Sequence, residues 1–449
     1  MKILVLSHIS EMLGGAERSM LNVLDSWAEE YNVRPEFILR KPVKSLAGAI
    51  KDRGWQYHSL NYTFWSDSNP PTKPADVHRS ALDNTQAIKD IEKLIQDIQP
   101  DIVLTNSVVC PWAAIAAYYQ GVPHVWFVRE YGDLDHGRIF EIGRKKTLED
   151  VGTLSELVVA NSKAMESHLA QYIDSKKLTT LYTPFNLEKI NEKASEKVKN
   201  PFKKADSLKL AIVGNLATSK GQLEVIDAIG QLTKEGIDTE LCVIGRSGDS
   251  EYSSQVHAAI KKYNISDRIH LIGYKNNPLS YVNMADVGIM ASRKEAFGRV
   301  TFEYLALGKP VVGADTGATP EMVTENKNGY LYEQGNSKSL TTKLKKYSEN
   351  RSLIKKHGKA SRLISENMME GKLNAQNAYR SIEKAAKAGK SNKPINFTHR
   401  WLDYPTISQQ VITQSGAQSV KKLIKLRLRQ KAKAYYYRGR SIIAKVSGK

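Results

Sequence analysis

Two carboxylates, Glu295 and Glu303, lie eight positions apart in a segment that could bind a polar ligand. An apolar run ending at Ser292 predicts a strand, followed by a loop with Glu295 and a helix entered after Gly298. Unpaired N–H groups at a helix start attract anions, and glycine lets a ligand approach the backbone closely. Because a carboxylate would repel a diphosphate, the acids suit neutral hydroxyls. Alone, each acid would more often be a solvated surface charge, but together the features predict a nucleotide-sugar site.

The elements that position this segment follow a pattern that occurs twice. Apolar strands predicted at 2–8 and 209–214 each lead through a short polar or glycine-containing loop into an amphipathic helix. Further apolar runs predict strands at 36–39, 102–104, 124–128 and 157–160 in the first half, and at 240–244, 269–272, 287–290 and 310–313 in the second. Strands alternating with helices predict an α/β protein with two parallel sheets whose ligands bind at the carboxyl ends of the strands. Neither opening has the GxGxxG spacing of dinucleotide-binding enzymes.

The boundaries follow from composition. We predict an N-terminal domain over 1–190, a C-terminal domain over 204–365 and a polar, lysine-rich linker over 184–206. The proline-containing stretch 62–78 predicts a long loop. An uncharged segment at 102–128 is interrupted by prolines and polar residues, so it does not predict a membrane-spanning helix.

Positive charge is concentrated at the C-terminus. The formal net charge is +19, and residues 391–449 hold 13 lysines and arginines against one acid, Asp403. Apolar residues recur at helical spacing over 420–437, which predicts a basic amphipathic helix. Such a helix can bind an anionic membrane surface through 420–440, pack on its own domain or, less favoured, bind nucleic acid. With only Cys110 and Cys242 as cysteines, the chain is predicted to be cytoplasmic, and the basic tail predicts that it is peripheral on the inner face of the cell membrane.

The segment around the two acids resembles the donor-site signature of glycosyltransferase family 4. The E-x7-E pattern of that family matches Glu295 and Glu303, with Phe297 and Gly298 between them. Similar segments are ALGKPVVGADTGATPE (306–321), NGYLY (328–332), SKG (219–221) and GGAE (14–17), so the resemblance covers roughly 1–390. It implies the GT-B fold: two doubly wound Rossmann-like domains facing a central cleft, with a crossing helix near 366–390 completing the first, here followed by the basic helical tail.

The resemblance also implies residue roles. Glu295 would hold hydroxyls of the donor sugar, Glu303 the ribose, and Lys220 the diphosphate. The implied donor-binding residues are Gly15, Lys220, Gly245, Arg246, Glu295, Ala296, Phe297, Gly298, Arg299 and Glu303. The family uses no metal and no cofactor besides the nucleotide sugar itself, with a uridine diphosphate sugar favoured.

This sequence departs from the family at two positions. Asn215 stands where the family has an arginine beside the lysine, and Arg129 stands where it has a histidine. The catalytic candidates are Lys220, Glu295, Asn215, Glu130 and Arg129, and the acceptor candidates are Arg129, Glu130 and His136.

The function implied is that of a retaining, metal-independent hexosyltransferase. Its acceptor hydroxyl would belong to a saccharide or a lipid-linked saccharide in cell-surface polysaccharide or glycan synthesis. Two alternatives remain: a non-catalytic GT-B subunit that stabilises a partner transferase, and a sugar-nucleotide epimerase of the same fold.

Overall fold

The computed structural model describes residues 1–11, 15–69, 74–248, 250–370 and 372–389. Within them the chain forms two compact units. Unit 1 comprises Met1–Asn161, Glu166–Leu181 and the chain from Gln376, and unit 2 comprises Ser162–Met165 and Tyr182–Ala375. The basic tail and the helix predicted over 420–437 lie outside the described residues.

Unit 1 is built on a seven-stranded parallel sheet, and the apolar runs of the first half predict five of its strands. The strands are β1 (Lys2–Ser7), β2 (Arg34–Arg40), β3 (Gln56–Leu60), β4 (Ser66–Asp67), β5 (Ile102–Asn106), β6 (His124–Val128), β7 (Ile139–Phe140), β8 (Leu157–Ala160) and β9 (Leu178–Thr180). Seven of them form the sheet in the order β3-β2-β1-β5-β6-β8-β9, while β4 and β7 form a separate antiparallel pair.

Helices cover this sheet. They are α1 (Gly15–Tyr31), α2 (Leu46–Lys51), α3 (Pro74–Ile98), α4 (Trp112–Gln120), α5 (Asp133–His136), α6 (Arg144–Leu154) and α7 (Lys163–Leu169). The long loop predicted over 62–78 is wrong in part, because it contains β4 and because α3 already begins at Pro74. Proline is compatible with the first helical position, where its missing N–H is not needed.

Unit 2 has a six-stranded parallel sheet. Its strands are β10 (Leu208–Val213), β11 (Thr239–Ile244), β12 (Ile269–Gly273), β13 (Val287–Met290), β14 (Val311–Ala314) and β15 (Gly329–Tyr332), in the order β12-β11-β10-β13-β14-β15. Its helices are α8 (Leu187–Ser195), α9 (Gln222–Lys234), α10 (Ser250–Tyr263), α11 (Leu279–Asn283), α12 (Arg299–Ala306), α13 (Thr319–Met322), α14 (Ser337–Glu349) and α15 (Ser352–Glu370). A last helix, α16 (Lys372–Ala388), follows.

The segment predicted as a linker contains a helix. In α8 the side chain of Asn186 accepts a hydrogen bond from the Lys189 N–H at 2.8 Å and so caps the helix start. Ile190 and Ala194 are buried in the core of unit 2. The polar, lysine-rich composition of the segment obscured this narrow apolar face.

The helix α16 packs into the core of unit 1. Its Tyr379 stacks on Tyr31 of α1 at 3.8 Å between ring centroids, and Ile382 is fully buried in the same cluster. The preceding helix α15 instead contributes Ile364 and Met368 to the packing of unit 2. The chain therefore passes from unit 2 back to unit 1 in the first turn of α16, between Ala375 and Gln376.

Both sheets have the strand order that creates a binding position at their carboxyl edge. In unit 2, β10 lies between β11 and β13, and the connections after β10 and β13 leave in opposite directions along the sheet. In unit 1, β1 lies in the same way between β2 and β5. Ligands of doubly wound sheets bind at such a reversal, just beyond the carboxyl ends of the strands.

Candidate active site

The loop after β10 carries Lys220 and contacts the loop after β13. Gly221, with a φ of +69°, joins the turn Thr218–Lys220 to helix α9. A Cβ at Gly221 would lie 2.2 Å from the backbone oxygen of Ala291, so only glycine allows the two loops to meet here. The N–H of Arg293 also donates to the carbonyl of Ser219 at 2.9 Å. These contacts hold the two loops side by side.

Lys220 and Glu295 form an ion pair across these loops. The Lys220 ammonium lies 3.2 Å from Oε2 of Glu295, with side chains 33% and 18% exposed. The methylene stem of the lysine lies over Gly214, where a Cβ would be 3.5 Å away. The backbone carbonyl of Glu295 accepts from the N–H of Ala318 at 2.9 Å, which fixes its loop. The structure thus brings together the two residues assigned to the diphosphate and the donor sugar.

Helix α12 begins directly after Gly298, as predicted from the sequence. Gly298 has a φ of +84°, and a Cβ there would lie 3.0 Å from Oγ1 of Thr301 and 3.3 Å from Cγ of Glu295. Thr301 is buried in the first helical turn, and its hydroxyl has no hydrogen-bond partner among the residues that the structure describes. The helix start and the Glu295 side chain therefore lie next to each other with no bulky group between them.

Glu303 lies one turn further along α12, beside Arg299. A carboxylate oxygen of Glu303 lies 4.0 Å from the guanidinium of Arg299, which in turn stacks 4.6 Å from the centroid of the Phe185 ring. Phe185 stacks on Phe302 at 4.1 Å. Arg299 is thus positioned by the Phe185 ring and by Glu303, which lies on the same helix.

Ala296 and Phe297 are buried supports of the loop between the two acids. The carbonyl of Ala296 accepts from the Ser162 hydroxyl at 2.5 Å. The ring of Phe297 lies 6.0 Å from that of Phe185.

Asn215 and its neighbours join β10 to β11. The side-chain oxygen of Asn215 accepts from the N–H of Arg246 at 3.0 Å. A Cβ at Gly245 would lie 2.1 Å from the carbonyl oxygen of Gly214, so the two strand ends touch. The guanidinium of Arg246 stacks 4.4 Å from the centroid of Tyr274. Asn215 and Gly245 therefore lie where the ends of β10 and β11 contact each other.

Arg129 and Glu130 lie at the carboxyl edge of the unit 1 sheet. Arg129 is buried and donates from Nε to the side-chain oxygen of Asn106 at 3.0 Å. Glu130 accepts from the Ser107 hydroxyl and from the N–H of Val108 at 2.8 Å. Burial raises the pKa of the Glu130 carboxyl.

Two further predicted residues belong to the same unit. His136 is on the exposed end of α5, with its Nε2 3.9 Å from a carboxylate oxygen of Asp135. Gly15 is the first residue of α1.

Sequence reasoning assigned no role to His8 and Glu17, which pair at the same edge. The Nδ1 of His8 lies 3.3 Å from Oε1 of the fully buried Glu17. Burial raises the pKa of Glu17 to about 7 and, with the nearby Arg138, lowers the pKa of His8 to about 4. The available signals were the position of His8 directly after β1 and of Glu17 two residues after the glycine pair.

The described parts of the chain contain neither a metal-binding cluster nor a membrane-spanning helix. No group of three or more His, Cys, Asp or Glu side chains there could hold a metal ion. Of the helices in that same portion, none combines the length and apolar character that crossing a membrane requires.

Two family models match successive parts of the chain. Residues 13–189 match the model "Glycosyltransferase Family 4", and residues 193–364 match "Glycosyl transferases group 1". Together these matches cover more than three quarters of the chain.

Among curated proteins, three relatives are informative. The lipopolysaccharide 1,6-galactosyltransferase of Escherichia coli is 23% identical over 77% of this chain and 89% of that protein. The N-acetyl-alpha-D-glucosaminyl L-malate synthase of Bacillus anthracis is 25% identical over 41% and 48%. The N-acetylgalactosamine-N,N'-diacetylbacillosaminyl-diphospho-undecaprenol 4-alpha-N-acetylgalactosaminyltransferase of Campylobacter jejuni is 30% identical over 45% and 53%. The match thus spans only about half the length of the last two relatives.

Solved structures share the fold. Alr3699/HepE of Anabaena in complex with UDP has a TM-score of 0.68 at 19% identity, covering 86% of this chain and 100% of that one. The same protein in complex with UDP-glucose has a TM-score of 0.64 at 19% identity, covering 86% and 100%. The chain has the GT-B fold, with two Rossmann-like parallel sheets as predicted.

Proposed function

We propose that this GT-B chain, whose two halves match glycosyltransferase family models, is a retaining glycosyltransferase. It transfers a hexosyl unit from a nucleotide diphosphate sugar to a hydroxyl of an acceptor. The observation that carries this proposal is the Lys220–Glu295 pair, 3.2 Å apart, beside the start of α12. A cation, an acid and a helix N-terminus at the reversal point of a parallel sheet suit a ligand with both phosphates and sugar hydroxyls.

The donor occupies the carboxyl edge of the unit 2 sheet. Lys220 and the N–H groups at the start of α12 bind the diphosphate, and Lys220 exchanges its contact with Glu295 for the phosphate oxygens. Glu295 then accepts hydrogen bonds from hydroxyls of the sugar, and Glu303 from those of the ribose. A uridine donor is favoured, and the Anabaena neighbour in complex with UDP and with UDP-glucose supports this choice.

Transfer proceeds on one face of the sugar. The bond between the anomeric carbon and the diphosphate oxygen breaks, while the acceptor oxygen bonds to the same carbon from the side of the leaving group. A phosphate oxygen takes the acceptor proton, so no histidine base is needed where this chain has Arg129. Lys220 and the helix N–H groups offset the charge that develops on the diphosphate, and the proposal requires no metal ion.

The acceptor is a saccharide carried by a lipid, in cell-surface polysaccharide synthesis at the inner face of the membrane. Support comes from the relatives, one named for a lipopolysaccharide and one for a diphospho-undecaprenol acceptor. The basic segment 420–440 would attach the chain to the anionic leaflet.

The test is release of the nucleotide from UDP-glucose and other sugar donors by the Lys220→Ala variant. We expect its rate to fall by about 10²–10³, the usual cost of removing a group that stabilises developing charge. The exposed Lys261 on α10 gives a matched control, Lys261→Ala, which keeps the wild-type rate. Equal rates in wild type and Lys220→Ala would overturn the proposed site.

A further inference from the structure

Two arginines and a histidine surround one aromatic ring in unit 1. The guanidinium carbons of Arg40 and Arg138 lie 4.8 and 5.4 Å from the centroid of the Phe64 ring. The His8 ring lies 6.2 Å from the same ring. Arg40 ends β2, and Phe64 and Arg138 lie in the segments that lead into β4 and β7. The cluster therefore lies at the carboxyl edge of the sheet, where acceptor residues are expected.

Backbone carbonyls hold both arginines in place. Arg40 donates from Nε to the carbonyl of Tyr62 at 2.8 Å, and Arg138 donates from Nη1 to the carbonyl of Ser66 at 3.0 Å. A guanidinium carries five N–H donors, so each of these bonds uses only one of them. Within the described residues, neither guanidinium lies within 4.0 Å of a carboxylate.

The acids of the neighbouring segment are engaged elsewhere. Asp133 pairs with Arg144 at 2.7 Å. Asp135 accepts from the N–H groups of Tyr131 and Gly132 at 2.8 Å. Positive charge at the Phe64 ring is therefore not neutralised by these acids, and it suits an anionic ligand.

We infer that Arg40 and Arg138 bind the phosphate or diphosphate group of the acceptor. Both guanidinium carbons lie within 5.4 Å of one ring centroid, so the two cations belong to one cluster, and a diphosphate offers one phosphate group to each. Arginine binds phosphate oxygens through two parallel N–H groups, which also fixes their orientation. This inference rests on the proposed transferase function, whose donor residues lie in unit 2.

Exposed apolar side chains beside Arg138 indicate what the phosphate is attached to. Leu134 and Ile139 are 39% and 51% exposed, and Ile139 directly follows the arginine. A free sugar phosphate has no apolar chain that could pack against Leu134 and Ile139. A prenyl chain attached to the diphosphate would cover them, so the site fits a prenyl-diphosphate-linked saccharide.

The test is calorimetric titration of the full chain with inorganic pyrophosphate, citronellyl diphosphate and citronellol. Saturating UDP occupies the donor site, and a repeat on Lys220→Ala excludes binding there. We expect citronellyl diphosphate to bind more tightly than pyrophosphate, and citronellol not to bind. Arg40→Gln and Arg138→Gln should each weaken both diphosphates about tenfold or more, because each loses a charged hydrogen-bonding pair. Arg34→Gln, at the exposed opposite end of β2, is the matched control and keeps wild-type affinity.

The outcomes separate the parts of the inference. Diphosphate affinity that is the same in wild type and both variants would overturn the site. The lipid source would be overturned if the arginines bound citronellyl diphosphate no more tightly than pyrophosphate, or if Leu134→Ser did not weaken the binding of citronellyl diphosphate. The ligand of the site would then be a free phosphate. If Arg138→Gln does not fold, as judged by circular dichroism, Arg138→Lys should still lose affinity, because lysine keeps the charge but not the two-pronged contact. Failure of UDP to bind in a thermal-shift assay would count against the proposed function and not against this site.

Discussion

At the scale of single residues, the Lys220–Glu295 pair is better suited to ligand binding than to stability. Both side chains are partly solvated, and an ion pair of this kind contributes only about 0–1 kcal/mol to folding. The pair nevertheless lies beside the N-terminus of α12, where a ligand could contact both members. Replacing either residue should therefore change donor binding far more than the unfolding temperature.

Glu295→Gln tests this distinction. The amide keeps the size of the side chain but removes the charge that strengthens hydrogen bonds to sugar hydroxyls. A hydrogen bond to a charged group contributes about 1.5–3 kcal/mol, so we expect kcat/KM for the donor to fall by about 10–100-fold. The melting temperature should change little. Glu349→Gln, an exposed acid at the end of α14, is the control, and an unchanged kcat/KM in Glu295→Gln would contradict the assignment.

Glu17 gives a pH-dependent prediction for stability. Its folded-state pKa is raised to about 7 by burial, so the unfolded chain releases this proton more readily. The free energy of unfolding should therefore decrease as the pH rises from about 4.5 through 7, by at most about 3 kcal/mol from this group. Glu17→Gln removes that decrease, and the variant should be more stable than wild type at pH 8 relative to pH 5.

Thermal unfolding of wild type and Glu17→Gln at both pH values measures this difference. The pKa of His8, lowered to about 4, acts in the opposite direction, because stability due to this group falls as the pH drops from 6.5 through 4. For this reason only the wild-type-minus-variant difference is diagnostic. A difference that does not change with pH would mean that folding does not raise the pKa of Glu17, so that its carboxylate is already charged at pH 5 in the folded protein.

At the scale of elements, glycines decide how closely the loops of unit 2 approach each other. Gly221 and Gly236 bound helix α9, and both have positive φ, +69° and +74°. A Cβ at Gly221 would meet the carbonyl oxygen of Ala291 at 2.2 Å, whereas nothing lies within 4 Å of one at Gly236. Alanine would therefore strain the backbone at both positions, but only at Gly221 would its Cβ also collide with a neighbouring loop.

Comparing Gly221→Ala with Gly236→Ala isolates that collision. Alanine at a left-handed position costs about 1 kcal/mol in either variant. Gly221→Ala must in addition move the β13 loop that carries Glu295. We expect it to destabilise the chain more and to weaken UDP binding, measured by thermal shift and calorimetry, while Gly236→Ala keeps wild-type affinity. Equal UDP affinity in the two variants would show that the loop contact does not position the site.

The elements that the sequence predicted are those with a clear physical pattern. Strands such as β6 and β13 are buried on both faces, so each is an apolar run, and their observed bounds agree with the prediction. The start of α12 was predictable from Gly298. Helix α8 was not, because only two of its residues, Ile190 and Ala194, are buried. The hydrogen bond from Arg246 to Asn215 and the cluster around Phe64 join residues far apart in sequence, and no local pattern encodes them.

At the scale of the whole molecule, the described structure ends where the basic tail begins. Helix α16 ends at Ala388, and its Tyr379 and Ile382 belong to the core of unit 1. Removing 391–449 therefore takes away no residue of either described core. It does remove 12 of the 19 net positive charges, since this segment holds 13 basic residues and one acid.

Truncation after residue 390 consequently tests membrane attachment and leaves every residue of the two described cores in place. A cluster of basic residues near an anionic leaflet contributes about 1 kcal/mol per Lys or Arg, and salt weakens this attraction. We expect the full chain to co-sediment with anionic vesicles at low salt, to dissociate at high salt and not to bind neutral vesicles. The truncated chain should remain in the supernatant and keep its UDP affinity. Equal sedimentation of both chains would place the membrane contact in the two folded units, where the exposed Leu134 and Ile139 beside Arg138 would be the first residues to replace.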